Sequence, residues 1–139
     1  AFNPQTKFDA DDSGIEMSSW EEMQLIMAES EIMTGGAAGV VSGMAKINAL
    51  RAAAGMAAEV AADQAAAMTW LKREHAIEQW LEGRRLPAMR RWDADGTPGA
   101  LQPLEEVGDG DTMTGSHLLT RDFCFPVSES EQQTNPFYR

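Results

Sequence analysis

The sequence predicts a mainly α-helical fold: a tetratricopeptide-like helical hairpin, a third long helix and a loop-rich C-terminal tail. First, apolar residues recur every three to four positions from about residue 20 to residue 86, as they do on one face of an α-helix. Second, alanine is abundant there and is interspersed with Gly39 and Gly43, which suits helices that approach each other closely. Third, glycine and proline recur from Asp93 onward, so long regular elements are not expected in that part.

Residues 1–18 are predicted to form an extended acidic arm, because they contain few apolar residues and include Pro4 and Gly14. The run from Asp9 to Gly14 has the first, third, fifth and sixth positions of a calcium-binding loop. Such a loop needs a glutamate at its twelfth position, where this sequence has Trp20. A solvated acidic arm is therefore favoured over a calcium site.

The first helix is predicted to begin at Ser18 or Ser19, because each serine is followed three residues later by a glutamate, the spacing of a capping box. Gly35 and Gly36 are expected to end this helix. Apolar residues near helical spacing predict an amphipathic helix. The residues that define its apolar face are Met23, Ile26, Met27 and Met33.

A second helix follows after a short connection, and two helices joined in this way are expected to pack antiparallel. Its apolar residues keep a spacing of three to four. Gly55 is placed to end the helix. The apolar residues are Val40, Met44, Ile47, Leu50 and Ala54.

The third helix is predicted to begin at Asp63, a favourable N-cap residue, and to continue to Leu86. Pro87 is expected to break or restart it, because proline lacks the amide proton that a helix interior requires. Its predicted buried residues are Leu71, Ile77, Trp80 and Leu81.

Charge and composition exclude several classes of function. The 139 residues include 22 acidic and 11 basic side chains, for a net charge of -11, whereas nucleic-acid binding requires a basic face. No apolar run reaches the roughly 20 residues that span a bilayer, and no signal peptide is recognisable. The single cysteine, Cys124, cannot form an internal disulfide.

No catalytic, metal-binding or cofactor-binding set of residues is predicted. His75 and His117 lie far apart in the sequence, without a carboxylate or thiol at the spacing of metal ligands. Cys124 lies between two phenylalanines and has no base near it in the sequence. Adjacent glutamates, such as Glu21 and Glu22, point apart on a helix rather than across a substrate.

Four segments read, in chain order, "EMQLIMAESEIMTGG", "INALRAAAG", "REHAIEQWLEGRRLPAMRRW" and "FCFPVSESEQQTNP". In this order they resemble the C-terminal part of the SusD/RagB-like family, which comprises surface lipoproteins that work with TonB-dependent transporters in nutrient uptake. The resemblance covers about residues 21 to 136. Four segments in the family's order are far more specific than any one of them.

The resemblance assigns family-motif positions residue by residue. Ala88 stands where the family has an aspartate, so a polar contact made by that side chain is absent. Family members are several hundred residues long and begin with a lipidated cysteine, so the chain is expected to be a fragment or a shortened relative. The motif positions are Ala28, Glu29, Ile47, Asn48, Arg51, Ala54, Gly55, Glu82, Gly83, Arg85, Arg91, Trp92, Phe125, Pro126, Glu131, Asn135 and Pro136.

Four arginines are concentrated between Arg84 and Arg91. Residues 9–31 contain eight acidic and no basic residues, whereas residues 72–91 contain six basic and three acidic ones, which favours internal pairing. Such pairs would fix the third helix to the first. The alternative is a site for an anion or a sugar acid, in which arginine beside tryptophan binds a carboxylate or carbohydrate. The predicted structural ion-pair residues are Glu29, Glu82, Arg85 and Arg91.

The four tryptophans are expected to be packing residues rather than platforms on which sugars stack. In the family, the resemblance implies that ligand contacts come largely from segments outside this portion. No sugar-binding residue is therefore assigned. The tryptophans are Trp20, Trp70, Trp80 and Trp92.

The predicted organisation is an extended acidic arm at 1–18, a helical SusD-like core at 19–93 and a loop-rich tail at 94–139 that packs back on the core through "FCFPV". The resemblance implies a non-enzymatic module at the outer membrane, facing the cell surface or the periplasm. Its partners would be a TonB-dependent transporter and a glycan or other nutrient. The alternative is a structural accessory subunit that uses a truncated SusD-like helical block to dock on a larger membrane-associated assembly.

Overall fold

The computed structural model describes residues 7–8, 10, 13–14, 16–101 and 133–134. These residues form a mainly α-helical structure, as predicted, and no β-strand occurs among them. The helices in chain order are α1 (Trp20–Thr34), α2 (Gly36–Ala53), α3 (Gln64–Glu78) and α4 (Arg85–Ala94).

Helix α1 begins and ends where the sequence predicts. Ser19 is its N-cap, and the Ser19 hydroxyl accepts a hydrogen bond of 3.1 Å from the backbone N–H of Glu22. The helix ends at Gly35, and Gly36 has a φ of +57°, a left-handed conformation that favours glycine. The chain therefore reverses direction without a separate loop and enters α2.

Helices α1 and α2 form a closely packed antiparallel hairpin. Along α2, Gly39 lies against Glu31 and Gly43 lies against Ala28 and Ile32, so rising numbers on one helix meet falling numbers on the other. A Cβ on Gly39 would lie 2.0 Å from the Glu31 carbonyl oxygen, which is an impossible contact. The prediction of close helix approach at these glycines is confirmed, whereas likeness to a tetratricopeptide repeat stays a prediction.

The core is formed mainly by one stripe from each of α1, α2 and α3, with two residues from α4. The predicted stripe on α2 is confirmed, except that Ala54 is exposed. Burying a side chain the size of leucine or isoleucine stabilises the fold by about 1.5–3 kcal/mol. The buried apolar residues are Leu25, Ala28, Ile32, Val40, Met44, Ile47, Leu50, Ala67, Met68, Leu71, Ala88 and Trp92.

The predicted apolar face of α1 is not the buried face. Leu25, Ala28 and Ile32 enter the core, so the core stripe runs between the residues that the pattern selects. Apolar residues surround much of this helix, and periodicity alone does not decide which of two apolar stripes meets α2 and α3. The residues of the other stripe, Met23, Ile26, Met27 and Met33, are 39% to 52% exposed.

Helix α3 begins as predicted but ends earlier. The carboxylate of Asp63 caps it by accepting a 2.8 Å hydrogen bond from the Ala66 N–H. The helix ends at Glu78 because the chain then turns through Leu81, with φ +65°, and Gly83, with φ +72°. Pro87 lies in the first turn of α4, where its missing N–H costs no helical hydrogen bond.

The early end of α3 changes which side chains are buried. Leu71 is in the core, but Ile77, Trp80 and Leu81 are between 44% and 58% exposed, so their predicted burial is wrong. The left-handed turn directs Trp80 and Leu81 away from the helical path on which they would have faced inward. Ile77 still lies within α3, on its exposed side.

The chain after α4 is fixed to α3 as far as Leu101. The buried ammonium of Lys72 donates to the carbonyl oxygens of Thr97, at 3.1 Å, and Gly99, at 2.7 Å. The N–H of Ala100 donates to the hydroxyl of Thr69 at 3.0 Å. The predicted tail beyond Leu101, including "FCFPV", lies outside the described residues, apart from 133–134.

Candidate functional site

A charged cluster surrounds Trp92, where α1, α3 and α4 meet. Trp92 is only 2% exposed, and its indole N–H donates a 3.0 Å hydrogen bond to a carboxylate oxygen of Glu29. The indole lies on α4 and its acceptor lies on α1. This hydrogen bond therefore requires the two helices to keep a fixed position relative to each other. The predicted packing role of Trp92 therefore agrees with its position.

Glu29 also binds Arg91 through two parallel hydrogen bonds. The Arg91 Nη1 and Nη2 atoms donate to the two carboxylate oxygens at 2.6 Å and 2.8 Å. Burial raises the pKa of Glu29, but the hydrogen bonds from Arg91 and Trp92 outweigh burial and hold this pKa below its ordinary value. The hydrogen bonds that the guanidinium donates to Glu29 in turn raise the pKa of Arg91. The Glu29 carboxylate therefore accepts hydrogen bonds from two protein side chains, those of Arg91 and Trp92.

Three cations lie around the Trp92 ring. The distances to its centroid are 5.6 Å from the Lys72 ammonium, 5.2 Å from the Arg85 guanidinium and 5.8 Å from that of Arg91. Burial, followed by the charge of Arg85, lowers the pKa of Lys72. Because protein groups occupy the surroundings of the ring, a sugar cannot stack on Trp92.

An open groove of about 830 Å³ runs between α1 and α4 beside this cluster. Two ion pairs cross it: Arg91 with Glu29, and Arg84 with Glu22 at 2.6 Å. An anion that bound to either guanidinium would have to compete with a protein carboxylate at close range. The described residues that line the groove are Glu22, Leu25, Ile26, Glu29, Ser30, Met33, His75, Gly83, Arg84, Pro87, Ala88, Arg91, Asp95 and Thr97.

A second polar cluster joins α2 to α3 and to the connection between them. The Arg51 guanidinium binds the fully buried carboxylate of Glu74 at 2.5 Å and donates to the Ala57 carbonyl oxygen at 2.8 Å. The side-chain amide of Asn48 makes two hydrogen bonds of 2.9 Å with the backbone of Glu59. Asn48 and Arg51, both predicted to be motif positions, therefore fix the path of the chain between α2 and α3.

A third cluster lies where the N-terminal arm meets the end of α3. Lys7 pairs with Glu82 at 2.5 Å and also donates to the carbonyl oxygen of Glu78. Burial, then the neighbouring charges of Glu21 and Glu74, raises the pKa of Glu78 above its ordinary value. This region has more carboxylates than cations among the residues that the structure describes.

The structure therefore brings Glu29, Arg91 and Trp92 together. Glu82 faces Lys7 and Arg84, with 3.6 Å to the Arg84 Nε, while Arg85 donates to the Lys72 carbonyl oxygen at 3.0 Å and lies over Trp92. Gly83 occupies the left-handed turn before α4. The remaining motif positions Phe125, Pro126, Glu131, Asn135 and Pro136 lie outside the described residues, as do His117 and Cys124.

Sequence reasoning missed Lys72 and Glu74, two charged residues that α3 buries. Lys72 directly follows the buried Leu71, and Glu74 lies about one turn beyond it. A search for charges on the apolar face of α3 would therefore have found both residues. It also misjudged Trp20 and Trp80, which were expected to pack but are 53% and 58% exposed.

No group of three or more histidine, cysteine, aspartate or glutamate residues in the described part of the chain is arranged to hold a metal ion. None of the helices there combines the length and apolar character that crossing a membrane would need.

A sequence model of the SusD family matches residues 22–138. No curated protein and no solved structure matches the chain. The matched range contains all four described helices except the first two residues of α1.

Proposed function

Since the chain belongs to the SusD family, whose members are glycan- and nutrient-binding proteins associated with the outer membrane, we propose that it assists nutrient capture together with a TonB-dependent transporter. In this proposal the chain acts as a non-enzymatic module on the cell surface or facing the periplasm. The observation that carries the proposal is the family match over residues 22–138.

The arrangement of charged residues argues against direct ligand binding by the described residues around Trp92. The guanidinium groups of Arg84 and Arg91 bind glutamates of α1, and the indole of Trp92 is buried. Ligand contacts would therefore come mainly from the assembled complex. The chain alone should bind oligosaccharides no more tightly than millimolar, about -4 kcal/mol.

The test is purification of the tagged chain from its native source in mild detergent, followed by mass spectrometry of the proteins that accompany it. We expect a TonB-dependent transporter, and an unrelated acidic protein with the same tag provides the control. Calorimetry against a panel of glycans then compares the chain alone with the complex. Recovery of a lone monomer that binds one sugar at micromolar affinity, about -8 kcal/mol, would overturn the proposal.

A second candidate function is a structural accessory subunit that docks on a membrane-associated assembly without taking part in nutrient binding. The half-exposed Trp80 and Leu81, which are consecutive in the chain, favour it, since exposed apolar side chains that lie together often mark a contact with another protein. The same calorimetry separates the two functions. A complex whose glycan affinity is unchanged by removal of the chain would support the accessory role.

A further inference from the structure

The outer side of α1 carries three methionines, Met23, Met27 and Met33, which together are called the methionine face. Their exposed fractions are 40%, 42% and 39%. Methionine is among the side chains most often fully buried in proteins. Met44 on α2 and Met68 on α3 follow that rule, since both are buried in the core. Core packing therefore does not account for the methionine face.

The three residues lie on one side of a single helix. At about 100° per residue, the arc from Met33 to Met27 covers roughly 120° of the circumference of α1, and Met23 lies within it. No charged residue falls in that arc. The other residues in the arc are Ile26, Ser30 and Thr34. The methionine face is therefore an uncharged strip along α1.

The side of α1 that packs in the core contains no thioether. It consists of Leu25, Ala28 and Ile32, all of which are buried. Glu22 and Glu29, which bind arginines, also lie outside the arc of the methionine face. A chemical change confined to that face therefore leaves the buried contacts and ion pairs of α1 in place.

The reaction that exposed thioethers undergo is oxidation by hydroperoxides to methionine sulfoxide. The O–O bond of the peroxide breaks, one oxygen atom forms a bond to the sulfur, and the other leaves as water or as an alcohol. The sulfur loses two electrons, which the peroxide gains. Because a sulfoxide is polar, the reaction converts an apolar side chain into a polar one.

The reverse reaction requires a sulfoxide reductase that uses a dithiol. The dithiol supplies two electrons and two protons and becomes a disulfide, while the sulfoxide oxygen leaves as water. Such an enzyme has to reach the sulfur atom. The sulfur atoms of a half-exposed helix face meet that requirement, whereas those of Met44 and Met68 do not.

We propose that the methionine face is a site of reversible oxidation, at which hydroperoxides convert Met23, Met27 and Met33 to sulfoxides while the helical core stays folded. The face then changes from apolar to polar, and a contact that depends on its apolar character weakens. The inference is independent of the proposed function, because it requires only the exposed thioethers and the buried core.

The first measurement is peptide mapping by tandem mass spectrometry after exposure of the folded chain to hydrogen peroxide for increasing times. Met17, at 93% exposure, gives the rate of an unhindered thioether in the same chain. The methionine face should react at least about tenfold faster than Met44 and Met68, whose sulfur atoms react only after local opening of the fold. Equal rates at the face and in the core would overturn the proposal.

The second measurement is retention on a hydrophobic-interaction column, with circular dichroism on the same samples. Oxidation should shorten the retention time and leave the helix content unchanged, because the core stripe of α1 has no sulfur. Loss of helix content in proportion to oxidation would overturn the proposal, since the peroxide would then act by unfolding the chain.

Leucine variants test which sulfur atoms are responsible. A triple variant with Met23→Leu, Met27→Leu and Met33→Leu keeps an apolar face of similar volume but removes its thioethers. Peroxide should shift the retention of this variant much less than that of the unaltered chain. Met44→Leu is the matched control and should respond like the unaltered chain. An equal shift in the triple variant would assign the change to other methionines and overturn the proposal.

Reversibility is tested on the oxidised, folded chain with the two methionine sulfoxide reductases, one for each sulfoxide epimer, and dithiothreitol as the dithiol. The sulfoxides of the methionine face should be reduced, and the retention time should return to its starting value. The sulfoxide of Met17 is the positive control for enzyme activity. Sulfoxides that persist at the methionine face while that of Met17 is reduced would overturn the reversible site.

Discussion

Arg51 and Glu74 place two opposite charges inside the molecule, with side-chain exposures of 7% and 0%. The second oxygen of Glu74 has no hydrogen-bond partner among the described residues. A buried pair of this kind contributes to geometry more reliably than to stability, because both charges lose their hydration. Here the geometry is the connection between α2 and α3, which Arg51 also holds through the Ala57 carbonyl oxygen.

The first prediction concerns this pair. Arg51→Met should lower the free energy of unfolding by about 3–5 kcal/mol, because Glu74 would remain buried without its cation. The double variant with Glu74→Leu should recover most of that loss. Urea unfolding at neutral pH of the unaltered chain, both single variants and the double variant gives the coupling energy. A double variant no more stable than Arg51→Met would show that the pair itself is not responsible.

The second prediction concerns Glu78, whose pKa is raised above its ordinary value of 4.5, first by burial and then by neighbouring carboxylates. A raised carboxyl pKa means that the folded state binds the proton more tightly than the unfolded state. The ionised carboxylate therefore costs stability at neutral pH, and the cost disappears as the pH falls below the unfolded pKa.

Glu78→Gln should therefore raise the melting temperature at pH 7 and have little effect below about pH 4, where the carboxyl is protonated in both states. Asp93→Asn, at an exposed position on α4, is the control. Thermal melts across this pH range provide the measurement. A gain that is equally large at acid pH would contradict the electrostatic explanation.

At the scale of elements, the α1–α2 hairpin depends on the absence of side chains at two positions of α2. A Cβ on Gly43 would lie 2.4 Å from the Ile32 Cγ1 and 3.0 Å from the Ala28 carbonyl oxygen. Glycine usually weakens a helix interior relative to alanine. Here close packing between the two helices outweighs that disadvantage.

The third prediction follows from Gly39. Gly39→Ala should lower the free energy of unfolding by about 1–3 kcal/mol, because the new methyl group would collide with the Glu31 backbone, which cannot move aside as a side chain can. Helix propensity alone would instead make this change stabilising by about 1 kcal/mol. The control is Ala45→Gly at an exposed position of α2, which should show the propensity effect alone. A more stable Gly39→Ala would show that the helices can separate at no cost.

Sequence reasoning succeeded at this scale where a single residue type carries the signal. Ser19 and Asp63 cap their helices because a side-chain oxygen can satisfy free N–H groups, and that chemistry is local. It failed on α1, where two apolar stripes have the same period, and tertiary contact alone selects the one with Ile32. It also failed at Leu81, because a leucine gives no local sign of a left-handed conformation.

The candidate site was also predictable only in part, because the sequence pattern does not identify which charged residues pair with each other. Charge imbalance between two segments predicts that α1 pairs with the arginine-rich region, and Glu29 does bind Arg91. It does not specify individual partners, since several arginines lie within reach of several glutamates. Arg84 binds Glu22, and Glu82 faces Lys7, because the turn after α3 sets their directions.

At the scale of the whole molecule, Arg84 connects parts of the chain that are distant in sequence. It pairs with Glu22 of α1 at 2.6 Å and donates to the carbonyl oxygens of Met17, at 2.6 Å, and Glu16, at 3.3 Å. The residue lies immediately before α4. One guanidinium thus fastens the end of the acidic arm and the first turn of α1 to the turn after α3.

The fourth prediction is that Arg84→Gln releases this part of the arm. Cleavage after Glu16 by a glutamate-specific protease should become several-fold faster, because proteolysis requires local opening of the backbone. Arg73→Gln is the control, since the Arg73 guanidinium lies over Trp70, 5.0 Å from its ring centroid. Circular dichroism should show unchanged helix content in both variants. Equal cleavage rates would mean that other contacts hold the arm.

The placement of the tryptophans has an optical consequence. Trp20 and Trp80 are exposed and have glutamates within two residues in the sequence, whereas Trp92 is buried, so the intrinsic fluorescence combines emission from distinct environments. A negative local potential concentrates cations and repels anions. Caesium should therefore quench the exposed fraction of the emission more effectively than iodide does, and added salt should bring the two quenchers closer together.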